Sequence, residues 1–300
     1  MNSYDVVVVG GGPAGLSAGL VLGRSRRRVL ICDTGKPRNA VAHASHSFFT
    51  RDGIEPAQLL QIGRDQLRPY ESVQFRSVEV IDVKAQPHHF EVMFKDGERV
   101  TARKLLLTTG VIDELPDIEG FRAFWGSSIF HCPYCHGWEV RDQPLALYGN
   151  GQIGFHLTTL LRGWSNDLVL CTDGPAELDE AERKLFSKYN IPIREERIMR
   201  VEGQKGQLER IVFTDGSSLA RKAIFFRPNQ RQHSDLPQKL GCEIDSNGLV
   251  KVDELGQTSV ANVYAAGDMS RRMQQIVQAV SSGAMAASAI NNALLAEDFS

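Results

Sequence analysis

The segment at residues 131–137 carries the side chains best suited to chemistry, in the order HCPYCHG. Two cysteines separated by two residues can close a small disulfide, and such thiols ionise readily beside a cation or a helix N-terminus. The same spacing could supply half of a zinc site, but that site would need a second pair of ligands. No second Cys-x-x-Cys pair exists, and the neighbouring His131 and His136 do not close a tetrahedral site alone. The sequence therefore predicts redox chemistry at Cys132 and Cys135 and no metal.

Composition narrows the environment in which this pair would work. The 300 residues have a formal net charge of −2 and an ordinary apolar fraction of 42%. This balance gives no reason to expect nucleic acid or a membrane as a partner. A sparse, odd set of five cysteines is typical of reduced thiols and not of a disulfide scaffold, so we expect a cytoplasmic protein.

Two segments share one plan: a strand, a glycine-rich turn, a helix, and a second strand that ends in an acid. The first turn reads GGGPAG and the second reads GNGQIG. The first glycine of such a turn permits a tight bend, the second lets the backbone approach a pyrophosphate, and the third allows close packing of helix on strand. The acid at the second strand end can accept hydrogen bonds from ribose hydroxyls, although Asp33 alone could be a solvated strand-end acid. The candidate residues are Gly10, Gly12, Pro13, Ala14, Gly15 and Asp33 in the first unit, and Gly149, Gly151, Gly154 and Asp173 in the second.

These repeated units predict the architecture. We expect an α/β fold with two Rossmann-like (three-layer ββα) dinucleotide-binding domains, the second inserted into the first. The first domain would comprise residues 1–112 and 238–300, and the inserted domain residues 113–237 with the cysteine pair. A third element, a short strand followed by AAGD at residues 265–268, precedes a long helix near the end of the chain.

The glycine fingerprint, TTG at residues 108–110 and AAGD at residues 265–268 resemble the FAD-binding elements of low-molecular-weight thioredoxin reductases, the class II pyridine nucleotide-disulfide oxidoreductases. The resemblance covers nearly the whole chain. It is strongest to the branch with Cys-x-x-Cys-His-Gly, which includes enzymes acting on small dithiols as well as enzymes serving thioredoxin.

The resemblance implies FAD as the cofactor. The family's aspartate at the position of Asp268 bonds the ribityl–phosphate region, and a helix N-terminus lies beneath the pyrimidine edge of the flavin. Such an N-terminus stabilises negative charge on the reduced ring. Taken alone, Gly267-Asp268 could be a strand-to-helix turn with Asp as cap. The implied FAD residues beyond the first turn are Thr109, Gly110, Gly267, Asp268, Gln275 and Ile276.

The resemblance also implies roles at the redox pair. Cys135 would lie next to the flavin, and Cys132 would exchange with the external disulfide. His136 stands where the bacterial enzymes carry an aspartate, and an imidazole can transfer a proton near neutral pH. A helix-cap or packing role is the alternative for His136. No spacing compels a function for the other histidines, which we expect to be surface or packing residues: His43, His46, His88 and His89.

The second glycine turn departs from the family pattern. The positions that should grip the 2′-phosphate of NADPH are Thr172, Asp173, Gly174 and Leu178, so no cation remains there. An acid at Asp173 accepts from a free ribose hydroxyl but repels a phosphate. The sequence therefore disfavours NADPH. NADH, ferredoxin or another flavin stay open as electron donors.

The sequence thus predicts an FAD-dependent disulfide oxidoreductase that passes electrons between flavin and a protein or small-molecule disulfide. Two alternatives remain: a dithiol oxidase that passes electrons to oxygen, and a non-catalytic flavin-binding redox sensor. The partner would be a thioredoxin-like protein or a small dithiol or disulfide. A homodimer is expected from the resemblance.

Overall fold

A computed structural model describes residues 2–300, and its contacts divide the chain into two compact units. Unit 1 comprises the described residues up to Ala40 together with Phe48–Ile112 and Gln230–Ser300. Unit 2 comprises Val41–Ser47 and Asp113–Asn229.

Two boundaries differ from the sequence-based expectation. The chain returns to unit 1 at Gln230 and not at residue 238, because the Gln232 side chain donates hydrogen bonds to the carbonyl oxygens of Gly248 and Met269. The short segment Val41–Ser47 belongs to unit 2, although the chain on both sides of it belongs to unit 1.

Unit 1 is built on a seven-stranded sheet. Its strands are β1 (Asn2–Val9), β2 (Val29–Asp33), β3 (Val73–Ser77), β4 (Val80–Ala85), β5 (Phe90–Phe94), β6 (Arg99–Leu107) and β17 (Val263–Ala265). Their order is β3-β2-β1-β6-β5-β4, with β17 also paired to β6. The strands β1, β2 and β3 are parallel, as are β1, β6 and β17, whereas β4, β5 and β6 form an antiparallel meander. The apolar run from Val6 to Val9 is buried, as expected of a strand covered on both faces.

The main helices of unit 1 pack closely on each other. Gly283 lies so near to Ala14 that an added Cβ would stand 2.1 Å from the Ala14 carbonyl oxygen. Within residues 2–300, no helix combines the length and the apolar character needed to cross a membrane. The helices are α1 (Pro13–Arg24), α2 (Pro56–Leu67), α7 (Leu236–Lys239) and α8 (Ile276–Asp298), with a 3₁₀ helix at Arg38–Val41.

Unit 2 repeats the plan with a parallel sheet in the order β11-β10-β9-β15-β8 and a separate antiparallel sheet of β12, β13 and β14. Its strands are β8 (Ile129–Phe130), β9 (Leu145–Tyr148), β10 (Leu168–Cys171), β11 (Ile193–Arg194), β12 (Ile198–Gln204), β13 (Gln207–Phe213), β14 (Ser218–Ala220) and β15 (Ala223–Phe226). Its helices are α3 (Phe121–Phe124), α4 (Pro133–His136), α5 (Gly151–Leu161) and α6 (Glu180–Lys188). Two further strands, β7 (Val111–Glu114) and β16 (Asn229–Gln232), pair with each other where the chain passes between the units. Each unit therefore combines a parallel sheet, an antiparallel sheet or meander, and helices, which confirms the predicted α/β fold class with two Rossmann-like units.

Candidate flavin and redox sites

The first glycine turn, in unit 1, leaves an open space at the start of α1. Gly10 has a φ of +112°, and an added Cβ there would lie 2.3 Å from the Thr108 carbonyl oxygen. An added Cβ at Gly15 would lie 2.0 Å from the Gly10 carbonyl oxygen, so this glycine is needed for packing. Gly12 differs, because an added Cβ would meet no atom of the described chain within 4 Å. Gly12 is also the N-cap residue of α1 and has no side chain with which to cap the helix. An uncapped helix N-terminus beside open space suits a pyrophosphate.

Asp33 lies at the end of β2, beside this turn. One carboxylate oxygen accepts a hydrogen bond from the Gly11 N–H at 2.9 Å, and the other accepts from the Gly35 N–H at 3.1 Å. The Arg64 guanidinium stands 3.7 Å away. These contacts hold the carboxylate beside the glycine turn.

The other predicted FAD residues also lie in unit 1. Gly110 and Gly267 have φ values of +72° and +79°, so each occupies the left-handed region that favours glycine. Asp268 accepts a hydrogen bond from Arg38 at 2.8 Å. Gln275 is the N-cap residue of α8, which starts at Ile276, and its side chain makes no capping hydrogen bond within the described chain. Unit 1 therefore presents a second helix N-terminus whose N–H groups suit the pyrimidine edge of a flavin.

Sequence reasoning missed Arg38, which lies in this region. Arg38 donates to the Gln274 side chain at 2.7 Å as well as to Asp268, and Gln274 exchanges hydrogen bonds with Gln230. A lone arginine in a turn has no periodicity or motif that would have indicated this position. Thr109, one of the predicted FAD residues, follows the end of β6, and its hydroxyl lies 3.6 Å from the Met269 sulfur.

The redox pair lies in unit 2 at the short helix α4. Cys132 and Cys135 form a disulfide with a Cα–Cα distance of 5.3 Å. Cys132 is the N-cap residue of α4, and its carbonyl oxygen accepts hydrogen bonds from the N–H groups of Cys135 and His136. Pro133 suits the first helical position because its fixed φ matches a helix and its missing N–H would be unpaired there. The turn thus brings both sulfur atoms to one side of a single helical turn.

His136 follows the pair directly and is largely buried. Its ring stacks on Phe130 with a centroid distance of 4.5 Å and an interplanar angle of 10°. Its Nδ1 is buried and has no hydrogen-bond partner among residues 2–300. Burial, and secondarily the neighbouring His46, lower the pKa of His136 to about 4. The imidazole is therefore neutral at physiological pH.

A second histidine reaches this site from the segment Val41–Ser47. The ring of His46 stands edge-on to that of His136 at a centroid distance of 6.4 Å. Its Nε2 lies 3.5 Å from a carboxylate oxygen of Glu139. Sequence reasoning gave His46 no role, because a contact between residues so far apart along the chain leaves no local pattern.

The remaining thiols do not share this environment. Burial raises the pKa values of Cys32 and Cys171 to about 12 and raises that of Cys242, so all three thiols stay protonated.

The described residues contain no cluster of three or more metal-binding side chains. Two exposed aromatic side chains flank the redox pair instead: Tyr134 packs edge-on against Trp164, and Trp138 carries the Arg141 guanidinium 3.9 Å from its ring centroid.

The second glycine turn is bonded to its own chain. The Asn150 side-chain oxygen accepts hydrogen bonds from the N–H groups of Gly151 and Glu177, each at 2.8 Å. Its amide nitrogen donates to the Pro175 carbonyl oxygen at 2.9 Å. Gly151 has a φ of +53°, and an added Cβ there would lie 3.6 Å from the Glu177 carboxylate. The first N–H of α5 is therefore bonded to an amide, and an acid stands beside the turn.

Asp173, the predicted ribose ligand of this turn, also bonds within unit 2. It has a φ of +55° and accepts a hydrogen bond from the buried Ile198 N–H at 2.8 Å. The Tyr148 hydroxyl lies 3.4 Å from its other oxygen, and burial together with this carboxylate raises the pKa of Tyr148 to about 12. Gln152, at the start of α5, is tied to Glu182 at 2.6 Å. The strand-end acid and the start of α5 are therefore held by hydrogen bonds within unit 2.

The fold and these sites define a two-domain disulfide oxidoreductase with a glycine-lined flavin site. Residues 4–283 match the family described as pyridine nucleotide-disulphide oxidoreductase, and the chain belongs to that family. The thioredoxin reductase sirT of Leptosphaeria maculans is 33% identical over 313 residues, covering 98% of this chain and 95% of that protein. A solved structure from Bacillus anthracis, described as a candidate thioredoxin reductase TrxB, is 38% identical with a TM-score of 0.94, covering 98% of this chain and 99% of that one. An oxidoreductase from Agrobacterium tumefaciens is 34% identical with a TM-score of 0.92 and the same two coverages.

The chain is thus a thioredoxin reductase-like flavin disulfide oxidoreductase, and its family implies FAD. The predicted family and enzyme class are confirmed. The open space beside Gly12 and the N-termini of α1 and α8, which lack side-chain caps, fit the implied FAD.

Proposed function

We propose that this enzyme exchanges electrons with a dithiol substrate through Cys132 and Cys135 and does not draw them from NADPH. The second glycine turn carries this proposal. Its first helical N–H is bonded to Asn150, its strand-end acid is bonded to Ile198, and Glu177 adds negative charge beside the turn. A 2′-phosphate or a pyrophosphate would meet the carboxylates of Asp173 and Glu177 there, and the first N–H of the helix is already bonded.

The direction we propose is oxidation of the dithiol, because the second glycine turn offers acids where a nicotinamide donor would bind. Reduction of an external disulfide would also need a proton donor beside the redox pair. Burial lowers the pKa of His136 to about 4, so this ring is neutral at neutral pH and carries no proton for that step. The neutral ring can take up a proton from an incoming thiol, but only transiently, because burial disfavours the charged form.

The exchange itself needs only the residues of unit 2. A substrate thiol gives its proton to His136 and its sulfur attacks Cys132, which breaks the Cys132–Cys135 bond and releases the Cys135 thiolate. The second substrate thiol then attacks the mixed disulfide, which forms the substrate disulfide and frees Cys132, and the proton of this second thiol passes to the departing Cys132 sulfur. Two electrons pass from the substrate to the pair. FAD, when bound, supplies the two-electron acceptor that reoxidises the pair, and we propose dioxygen as the final acceptor, yielding hydrogen peroxide.

Relatives named thioredoxin reductase favour a second candidate, in which the pair reduces a thioredoxin-like protein. That function would need a donor other than NADPH, such as NADH, ferredoxin or another flavin. The cytoplasmic location and the homodimer also stay predictions. A non-catalytic redox sensor is less well supported, because a proton acceptor lies directly beside the redox pair.

The test is oxygen uptake by the flavin-loaded enzyme with dithiothreitol as the dithiol and no nicotinamide present. We expect uptake with stoichiometric peroxide, lost in Cys132→Ser and in Cys135→Ser while FAD stays bound. Cys242→Ser replaces a buried thiol outside the site and is the matched control, for which uptake should persist. Undiminished uptake by a flavin-loaded Cys132→Ser enzyme, or uptake by the wild type only when NADPH is added, would contradict the proposal.

A further inference from the structure

We propose that His46, oriented by Glu139, is a positioning residue that carries the proton onward from His136 during thiol–disulfide exchange. The inference rests on the proposed function, and it assigns a role to a segment that lies outside the Cys-x-x-Cys-His motif.

The segment Val41–Ser47 is fixed to unit 2 on both sides of His46. On one side, the Ser47 hydroxyl donates to the Tyr134 carbonyl oxygen at 3.0 Å, within the redox turn itself. On the other, Val41 packs so close to Gly126 that an added Cβ there would lie 2.6 Å from the Val41 side chain. The His46 ring is therefore held beside the redox turn by contacts that flank it.

The surroundings of His136 explain why a second base is needed. Phe130 covers one face of the ring and offers no charge, and Nδ1 is buried without a partner in residues 2–300. Burial disfavours the protonated ring, so a proton accepted from substrate is bound weakly and has to move on. The titratable groups that face His136 are His46 and, behind it, Glu139.

The geometry suits transfer through one water molecule. The ring centroids of His46 and His136 stand 6.4 Å apart, a separation that one bridging water molecule with two hydrogen bonds of about 2.9 Å each can span. Beyond His46, the carboxylate of Glu139 at 3.5 Å offers an anionic partner to a proton-carrying imidazole. The substrate S–H bond breaks, an N–H bond forms on His136, and the proton then passes through the water to His46 and solvent. No electrons move in this step.

The experiment follows flavin bleaching by dithiothreitol after anaerobic rapid mixing of the flavin-loaded enzyme, across a range of pH. For His46→Ala we expect a rate at neutral pH lower by about 10- to 100-fold, below the effect of losing a direct acid–base group. The deficit should shrink as the pH rises above about 8.5, since the substrate thiol is then already ionised. Added imidazole should restore much of the rate.

Two further variants separate proton transfer from packing. His46→Gln keeps a hydrogen-bonding side chain but cannot relay a proton, so it should be as slow as His46→Ala. His43→Ala changes an exposed histidine of the same segment and should match the wild type.

A His46→Gln enzyme as fast as the wild type, or a deficit that is equal at every pH and unaffected by imidazole, would overturn the inference and leave the proposed function standing. Failure of dithiothreitol to bleach the wild-type enzyme at any pH would instead overturn the proposed function and this inference with it.

Discussion

The two glycine turns of this chain follow one sequence plan but have opposite surroundings. At the first, Gly12 caps α1 without a side chain, and the space above it is open. At the second, Asn150 caps α5 with its own amide, and the segment containing Glu177 is hydrogen-bonded to that amide. The first helix N-terminus has no side-chain cap, whereas at the second a side chain of the turn already accepts the first helical N–H.

The residue between the first two glycines of each fingerprint, Gly11 in one and Asn150 in the other, accounts for much of this difference. Gly11 leaves Asp33 close to the turn, and any Cβ there would lie 2.8 Å from the Asp33 side chain. Asn150 at the matching position accepts two backbone hydrogen bonds and donates a third. A glycine spacing therefore identifies a turn that could hold a phosphate, but the residue between the glycines decides whether the helix N-terminus stays available.

The largest expected effect comes from filling the open turn. Gly12 has a φ of −74°, which any residue adopts, and an added side chain would meet no atom of the described chain within 4 Å. Gly12→Asp should therefore fold, but its carboxylate would oppose the pyrophosphate. We expect FAD affinity to fall by about 100-fold or more, equivalent to about 2.8 kcal/mol, as measured by flavin titration of the apoprotein. Gly149→Ala in the second turn is the control, and a loss of flavin in that variant would undermine the contrast.

The two strand-end acids should respond differently to removal. Asp173→Ala leaves the buried Ile198 N–H without its partner, so we expect the free energy of unfolding to fall by about 1–3 kcal/mol with flavin content unchanged. Asp33→Ala should instead weaken FAD binding by about tenfold, as expected for the loss of one hydrogen bond to a charged group. Urea unfolding and flavin titration of both variants test this. Equal effects on flavin binding would mean that the acids are not used differently.

The smallest effect is expected at the cap of the second turn. Asn150→Ala removes the side chain that caps α5, which should cost about 1 kcal/mol of unfolding free energy. FAD affinity should not change, because Asn150 lies in unit 2. Urea denaturation checks the stability. Tight binding of NADH by this variant would show that the amide alone was blocking a working nucleotide site.

Much of the fold could be predicted because its determinants are local. The apolar run ending at Val9 and the glycines that follow predicted β1 and the start of α1, and the structure ends that strand at Val9 and begins the helix at Pro13. The long helix expected after Asp268 begins at Ile276. Periodicity and turn residues act within a few positions, so a single sequence contains them.

The rest depended on contacts between distant parts of the chain. The approach of His46 to His136 and the fixing of Pro175 and Glu177 by Asn150 require loop paths that no periodic pattern specifies. The sequence showed that no cation follows β10 to bind a phosphate. It did not show that Asp173 accepts a hydrogen bond from the Ile198 N–H within unit 2. The roles assigned to Cys132, Cys135 and the FAD residues stay predictions.

The central claim is that electrons enter through the disulfide of unit 2 and not through the second glycine turn. Anaerobic titration of the flavin-loaded enzyme tests it most directly, by following flavin absorbance with dithiothreitol, NADH and NADPH in separate experiments. We predict prompt bleaching by dithiothreitol and none by either nicotinamide. Rapid bleaching by NADPH or NADH, with dithiothreitol ineffective, would contradict the account.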